Sequence, residues 1–349
     1  MYEFEQVHVK EFESHTIRQR LPEQTIFQSP RWISFLVATQ RGEPMCLLVS
    51  EHGRAVGYFT GMIVTRLGFR ILGSPFPGWS TGYMGFNLAE GVERGCVLRE
   101  FIRFAFHDLR CVHTEVMDRS LVWSDMEGYI STFGEERGYE IDLRCPENQI
   151  FSRMTHQCRT NIRKASRSGV IIEEAADAGF ADEYYDQLLD VFSKQKMIPT
   201  YPKSRVKELV RTFAGQPGVV LLRARDRSGL CIASAILLCK GTLAYLWGAA
   251  SYRHSQFLRP NELLYWTAIQ RARELGMNVF DMGGDGEYKR KYGGTPICVP
   301  WLRASRHPFV GRLREIAAAT NEVKLRAAAM FRVTDRARRF PDSALDRAA

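Results

Sequence analysis

The stretch RPNELLYWTAIQRARELGMNVFDMGGDGEYKRKYGG, from Arg259 to Gly294, restricts the fold more than any other part of the chain. Leu264, Ala268, Ala272 and Leu275 recur at helical spacing, with Tyr265 and Ile269 beside them, so one face of this segment is apolar and has to be covered. Asn261 is placed to cap the helix at its start, and Gly276 supplies the left-handed residue that closes many helices. Asn278 to Met282 (NVFDM) is short and apolar around Asp281, as a strand beneath that helix would be, and Gly283, Gly284 and Gly286 end it. A carboxylate near a strand end, followed by glycines, stands where open α/β sheets place ligands. The loop then carries Lys289, Arg290 and Lys291 between Tyr288 and Tyr292 and closes on Gly293 and Gly294. Cations beside glycines can hold a phosphate or a developing oxyanion.

This order of elements, FDMGG and then YKRKYGG, resembles the end of the second domain in FemAB-like acyltransferases, which are built from two tandem domains of the GNAT (N-acetyltransferase) fold. The family motif is an aromatic, a lysine, two variable residues and Phe-Gly-Gly; Tyr288 to Gly294 fit it with tyrosines for phenylalanines. The resemblance implies an α/β chain of the α+β kind, with two GNAT-like domains, each a mixed, mostly antiparallel sheet flanked by helices. It also implies amide formation: an aminoacyl or acyl group passes from aminoacyl-tRNA or acyl-CoA to an amine acceptor, either lipid-linked or a small molecule. The pathways it implies are peptidoglycan, exopolysaccharide or natural-product biosynthesis.

The remaining sequence is consistent with that plan. At 349 residues the chain exceeds one usual domain. Its first third reads as a strand (Tyr2 to Val9), a helix carrying Trp32, Phe35 and Leu36, and strands at Met45–Ser50, Val56–Val64 and Phe69–Gly73. GSPFPGWSTGYMG, Gly73 to Gly85, joins glycine and proline to Trp79, Thr81 and Tyr83, as either a binding loop or a structural loop filled by its own aromatics. Gly91–Leu109 is an amphipathic helix, Cys111–Met117 a strand, Trp123–Arg137 a helix and Tyr139–Leu143 a strand. Cys145-Pro146-Glu147-Asn148 breaks both neighbours, which gives an N-terminal domain 1–146, a C-terminal domain 147–308 and a basic helical tail 309–349 with a disordered end.

Phe151 to Ser168 contains Arg153, Arg159, Arg163, Lys164 and Arg167 and no acid. Arg159, Arg163 and Arg167 fall in one row on a helix, either an anion-binding face or a solvated one. RTNIRKASRSGV also resembles the opening of the second domain in the same family, with Arg159, Arg163 and Lys164 at its basic positions. A strand (Val170–Glu174), a helix (Phe180–Lys194), a helix through Phe213 and three strands (Val219–Ala224, Cys231–Cys239, Leu243–Ala250) lead back to the Arg259 segment. In acetyltransferases of this fold a glycine- and arginine-rich loop before that helix holds the CoA pyrophosphate. Here Leu258, Arg259, Pro260 and Asn261 stand in its place, which speaks against CoA bound in the standard way.

The net charge of +9 favours anionic partners, such as tRNA, CoA, glycolipid phosphates or an anionic membrane surface. Eight cysteines without a CxxC pair and dispersed histidines point to neither a metal site nor a catalytic triad, and no tightly bound cofactor is expected. Lacking a signal peptide or a span of about 20 apolar residues, the chain is expected in the cytoplasm. The tail's apolar side, Leu313 and Ile316 among it, would dock on the second domain or touch the inner face of a membrane.

The chemistry left is direct acyl transfer, and the alternative from another class is a non-catalytic anion-binding scaffold that uses the same basic stretches. Lys289, with Arg163, would neutralise phosphate or oxyanion, Asp281 would position or deprotonate the amine, and Tyr288 and Tyr292 would either donate hydrogen bonds or pack the loop. Substrate contacts are expected from Arg159, Arg163, Lys164, Trp79, Thr81, Tyr83, Arg259, Asn261, Gly283, Gly284, Gly293 and Gly294.

Overall fold

A computed structural model describes residues 1–12, 24–126, 132–194, 197–314 and 316. Its strands are β1 (Tyr2–Gln6), β2 (Glu43–Glu51), β3 (Arg54–Arg66), β4 (Phe69–Ser74), β5 (Gly85–Leu88), β6 (His113–Met117) and β7 (Thr132–Asp142). They continue with β8 (Ile171–Glu174), β9 (Val219–Arg225), β10 (Cys231–Lys240), β11 (Leu243–Ser251), β12 (Val279–Asp281) and β13 (Thr295–Ser305). All pair into one mixed, mostly antiparallel sheet in the order β1-β2-β3-β4-β6-β13-β7-β12-β11-β10-β9-β8, with β5 alongside β3.

The order shows where the two halves meet. β7, from the first half, lies between β12 and β13 of the second, and β13 lies between β6 and β7 of the first. The segments expected at 1–146 and 147–308 therefore each lend a strand to the other's side of the sheet.

Seven α-helices among the described residues cover the sheet: α1 (Pro30–Thr39), α2 (Arg94–His107), α3 (Glu147–Arg153), α4 (His156–Arg167), α5 (Phe180–Lys194), α6 (Lys203–Phe213) and α7 (Pro260–Glu274). The apolar face of α7 lies over the second-half strands, with Leu264, Ala268 and Ala272 packed among Ile162, Ile232 and Phe280. α2 does the same for the first half through Val97, Phe101 and Ala105. A third cluster joins the halves: Trp32 and Phe35 of α1 meet Phe213 of α6, at ring separations of 5.7 and 6.1 Å.

Three expectations change. Trp123–Arg137 is not a helix: a single 3-10 turn covers Trp123–Met126, and β7 is a strand from Thr132 onward. Its Glu-Glu-Arg composition favours helix locally, but pairing on both edges, to β12 and β13, decides the conformation. Asn261 does not cap α7. The N-cap is Arg259, in the left-handed region at φ 59° with no capping side chain, and Pro260 fills the first helical position, where a missing N–H costs nothing. Strand β13, which the sequence reading did not anticipate, runs through Pro296 and Pro300. Gly276 closes α7 at φ 77° as expected. The tail beyond 316 lies outside the described residues; helical turns begin it at 308–314.

Candidate active site

β11 and β12 run parallel and pair only as far as Tyr245 and Asp281, while β11 continues to Ser251. Beyond Asp281 the chain turns through Gly283 and Gly284, at φ 63° and 52°. A Cβ on Gly283 would stand 2.8 Å from the Leu246 carbonyl oxygen, so only glycine lets the turn pass this close to β11.

Into this turn comes the Gly73–Gly85 loop. Tyr83 donates its hydroxyl hydrogen to Asp281 Oδ2 at 2.6 Å, and the Gly283 amide donates to Oδ1 at 2.7 Å. The loop is held in three further places. Trp247 Nε1 donates to the Ser80 carbonyl at 2.6 Å, Arg205 Nη1 to the Trp79 carbonyl at 3.1 Å, and Trp32 Nε1 to Thr81 Oγ1 at 3.3 Å. The loop is thus anchored structurally, with Thr81 and the Trp79 backbone fixing the segment that presents Tyr83.

Between loop and turn lies a cleft of about 340 Å³, lined by Phe76, Thr81, Tyr83, Glu136, Gly284 and Trp301 among others. Glu136, on β7, is its carboxylate. No side chain among the described residues pairs with it, and burial, with Asp281 nearby, pushes its pKa up while Lys289 draws it down. Asp281 is 1% exposed, and burial raises its carboxyl to about 6 against the opposing pull of Tyr83, Gly283 and Arg119. Arg119 stands 3.7 Å from Asp281 and grips Glu140 of β7 with both terminal nitrogens. Lys289 is buried behind Gly284, donating to its carbonyl oxygen at 2.9 Å, and burial lowers its pKa. The Tyr83 phenol is held well above its ordinary pKa, by burial first and by Asp281 second, and so stays protonated as a donor.

Of the residues singled out in the sequence, Tyr83, Thr81, Asp281, Gly283, Gly284 and Lys289 come together here. Gly293 and Tyr292 serve the loop's seat instead. The Tyr292 ring is buried and stacked on Tyr265 at 4.7 Å, and Gly293, at φ 82°, packs against Arg153. Gly294 lies against Tyr139. On α4, Arg159 closes on the Ser152 and Met154 carbonyl oxygens, Arg163 lies 5.4 Å over the Phe151 ring, and Arg163 and Lys164 face outward. None of the three lines the cleft, and nor do Arg259 and Asn261 at the start of α7. Glu136 falls in a stretch whose composition favours helix, Arg119 follows the end of β6, and Glu140 is a polar residue in a strand expected on apolar grounds, so none of the three stands out in the sequence; Glu136, Gly138 and Glu140 alternate with period two, the one signal of a shared strand face.

The start of α7 bears on the donor. Glu262, in the first turn and 5% exposed, accepts from Asn161 Nδ2 at 3.1 Å and Lys291 Nζ at 2.8 Å. A carboxylate thus already occupies the positive helix terminus, beside a proline with no N–H to offer. Among the described residues no group of three or more His, Cys, Asp or Glu is placed to share a metal ion, and no helix is long and apolar enough to cross a membrane.

Residues 152–290 match the family model of the acetyltransferase (GNAT) domain. No curated protein matches the chain. Among solved structures it is similar to FemX, with a TM-score of 0.66 and 11% identity over 85% of this chain and 96% of that one. It is similar also to L-PGS from Bacillus licheniformis, with a TM-score of 0.51 and 11% identity over 85% and 97% of the two chains. A tandem GNAT protein from the clavulanic acid biosynthesis pathway gives a TM-score of 0.51 and 11% identity over 88% and 99%. At such identities the likeness is one of fold, and the fold is the tandem GNAT arrangement expected from the Tyr288–Gly294 motif.

Proposed function

We propose that this chain is an acyltransferase that forms an amide, taking an aminoacyl group from its tRNA ester and passing it to an amine bound in the cleft between the Gly73–Gly85 loop and the Asp281–Gly284 turn. The observation that carries this reading is Glu136: a carboxylate unpaired among the described residues, lining a cleft at the diverging ends of β11 and β12, with its proton affinity raised. Such a group suits proton acceptance from an attacking amine.

In the reaction the amine nitrogen attacks the ester carbonyl, a C–N bond forms, and the proton lost by nitrogen passes to Glu136. The tetrahedral oxyanion then collapses, the C–O bond to the ribose breaks, and the ribose oxygen leaves with a proton returned from the site. Lys289, behind Gly284, supplies positive field for the oxyanion. Tyr83, fixed by Asp281, shapes the wall against which the acceptor is held. Support for a tRNA ester over a thioester of CoA comes from Glu262 and Pro260 at the start of α7, and from the outward cations Arg163 and Lys164 on α4. An acyl-CoA donor is the second reading, favoured by the acetyltransferase domain match.

The test is transfer from radiolabelled aminoacyl-tRNA, and separately from labelled acetyl-CoA, to a panel of amines, with wild type and Glu136→Gln. Amide formation from aminoacyl-tRNA that Glu136→Gln lowers about 100-fold or more supports the reading. Turnover from acetyl-CoA alone transfers the assignment to the second reading, and full activity in Glu136→Gln sinks the role given to Glu136.

A further inference from the structure

The far end of the sheet from the cleft carries a surface the acyl-transfer reading does not use. β3 and β4 turn back through Leu67 and Gly68, both at positive φ (51° and 81°), with Arg66 paired to Phe69 across the turn. Glu43, the first residue of β2, pairs with Ile63, so Val64 to Arg66 carry the hairpin about 10 Å past that neighbour. At its tip Leu67 is 98% exposed and Phe69 46%. A polar turn would solvate at no cost, whereas a leucine held out in a left-handed conformation has neither propensity nor packing to recommend it.

The same edge is basic. The Val112 amide donates to the Arg70 carbonyl at 2.9 Å and the Arg306 amide to the Val112 carbonyl at 2.9 Å, so the Arg110 turn and the end of β13 stand beside the hairpin. Arg66, Arg110, Arg306 and Arg312 are all exposed; Arg70 is held by Glu43. Helical turns 308–314 follow, clamped through Arg314, which meets both Glu115 oxygens at 2.7 and 2.9 Å. With Arg314 turned to the sheet, Phe309 and Leu313, one turn apart, stay 55% and 54% exposed.

We propose that this edge docks on an anionic lipid bilayer, Leu67 and Phe69 entering the headgroup region and the exposed arginines meeting lipid phosphates. Apolar side chains flanked by exposed arginines are complementary to an interface that is apolar below and anionic above, and are unsuited to a purely polyanionic partner. β4 runs from Phe69 to Ser74, about 17 Å, so docking leaves the cleft clear of the membrane plane.

Full-length protein is sedimented with vesicles of phosphatidylcholine alone and of phosphatidylcholine mixed with phosphatidylglycerol, at low and high salt. Binding to the anionic vesicles only is expected, weakened about tenfold by Leu67→Asn with Phe69→Thr. Loss of one interfacial charge in Arg66→Gln or Arg110→Asn should weaken it about fivefold. Asparagine accepts the left-handed geometry at 67 and 110, and unchanged melting of each variant shows that the fold is kept. Phe309→Ser with Leu313→Ser tests the second apolar pair independently. Absence of binding, equal binding to both vesicles, or anionic binding that the Leu67/Phe69 double variant leaves unchanged overturns the proposal. So does a concentration-dependent dimer that the Leu67 variant disperses, since the occupant would then be a second copy.

Discussion

Glu136 and Asp281 are both carboxylates with raised proton affinity, and they can be separated by pH. If Glu136 is the base proposed above, it works only when deprotonated, so kcat should climb as pH rises through its raised pKa, and Glu136→Gln should remove that limb together with most of the rate. A limb that survives in the variant belongs to another group. Asp281 shows itself in stability instead. Its folded carboxyl, at about 6, lies above the reference value of 3.8, so the folded state holds the proton more tightly. Its contribution is fully present below the lower value and lost as pH rises through the upper one, about 3 kcal/mol in all. The melting temperature should therefore fall across that window in wild type and stay flatter in Asp281→Asn; equal slopes would show that Asp281 does not titrate there. Asp281, Lys289 and the two glycines were legible because a charge beside glycines at a strand end needs no partner to be noticed. Between a hydrogen-bond donor and a packing residue of the loop, the sequence leaves Tyr292 open for want of any sign of Tyr265, whose ring it stacks upon. That contact depends on how α7 lies over the loop.

Elements legible from periodicity alone were those whose apolar stripe faces a single layer, such as α2 and α7. β7 and β13 were not. β7 carries Glu135, Glu136, Arg137 and Glu140, residues whose local preference is for helix, and it is a strand because β12 and β13 supply its hydrogen bonds. β13 contains Pro296 and Pro300, which argue against a central strand. Yet β6 pairs with β13 only from Trp301 onward, so upstream of it one edge of β13 pairs with no strand among the described residues, the setting in which prolines are tolerated within a sheet. That open edge borders the cleft, where Met117 and Trp301 line the wall. The start of α7 offers an element-scale test. Glu262→Ala leaves Asn161 and Lys291 without their shared acceptor, and should cost about 2 kcal/mol in denaturant unfolding, moderated by the partial exposure of Lys291. Glu262→Gln, which keeps an acceptor, should cost less. If the basic loop is seated through this carboxylate, Glu262→Ala should also lower transfer activity; an unchanged stability would show that the loop is held elsewhere.

Over the whole molecule, strand exchange sets the cooperativity. The boundary read at 146/147 follows a real break in the sequence, since Pro146 caps α3 and ends the run from β7, but the sheet does not respect it. A fragment 1–146 would expose β7 on both edges, with β13 gone from one side and β12 from the other, and would leave β6 unpaired on its inner edge. A fragment 147–349 would lose both neighbours of β13, and the cluster in which Trp32 and Phe35 pack on Phe213 would be split between the two. Exposed strand edges of this kind template aggregation. Two hydrophobic clusters on opposite halves would ordinarily suggest two independent transitions, yet the exchanged strands couple them. The full chain should therefore unfold in one calorimetric transition, with van't Hoff and calorimetric enthalpies in agreement. The separately expressed fragments should be insoluble or unfolded, and co-expression should restore them. Two resolved transitions, or a soluble and cooperatively folding 1–146, would show that each half completes its own sheet. The cleft would then be a contact between independent domains, whereas a single transition makes its walls, Glu136 from one half and Gly284 from the other, parts of one rigid sheet.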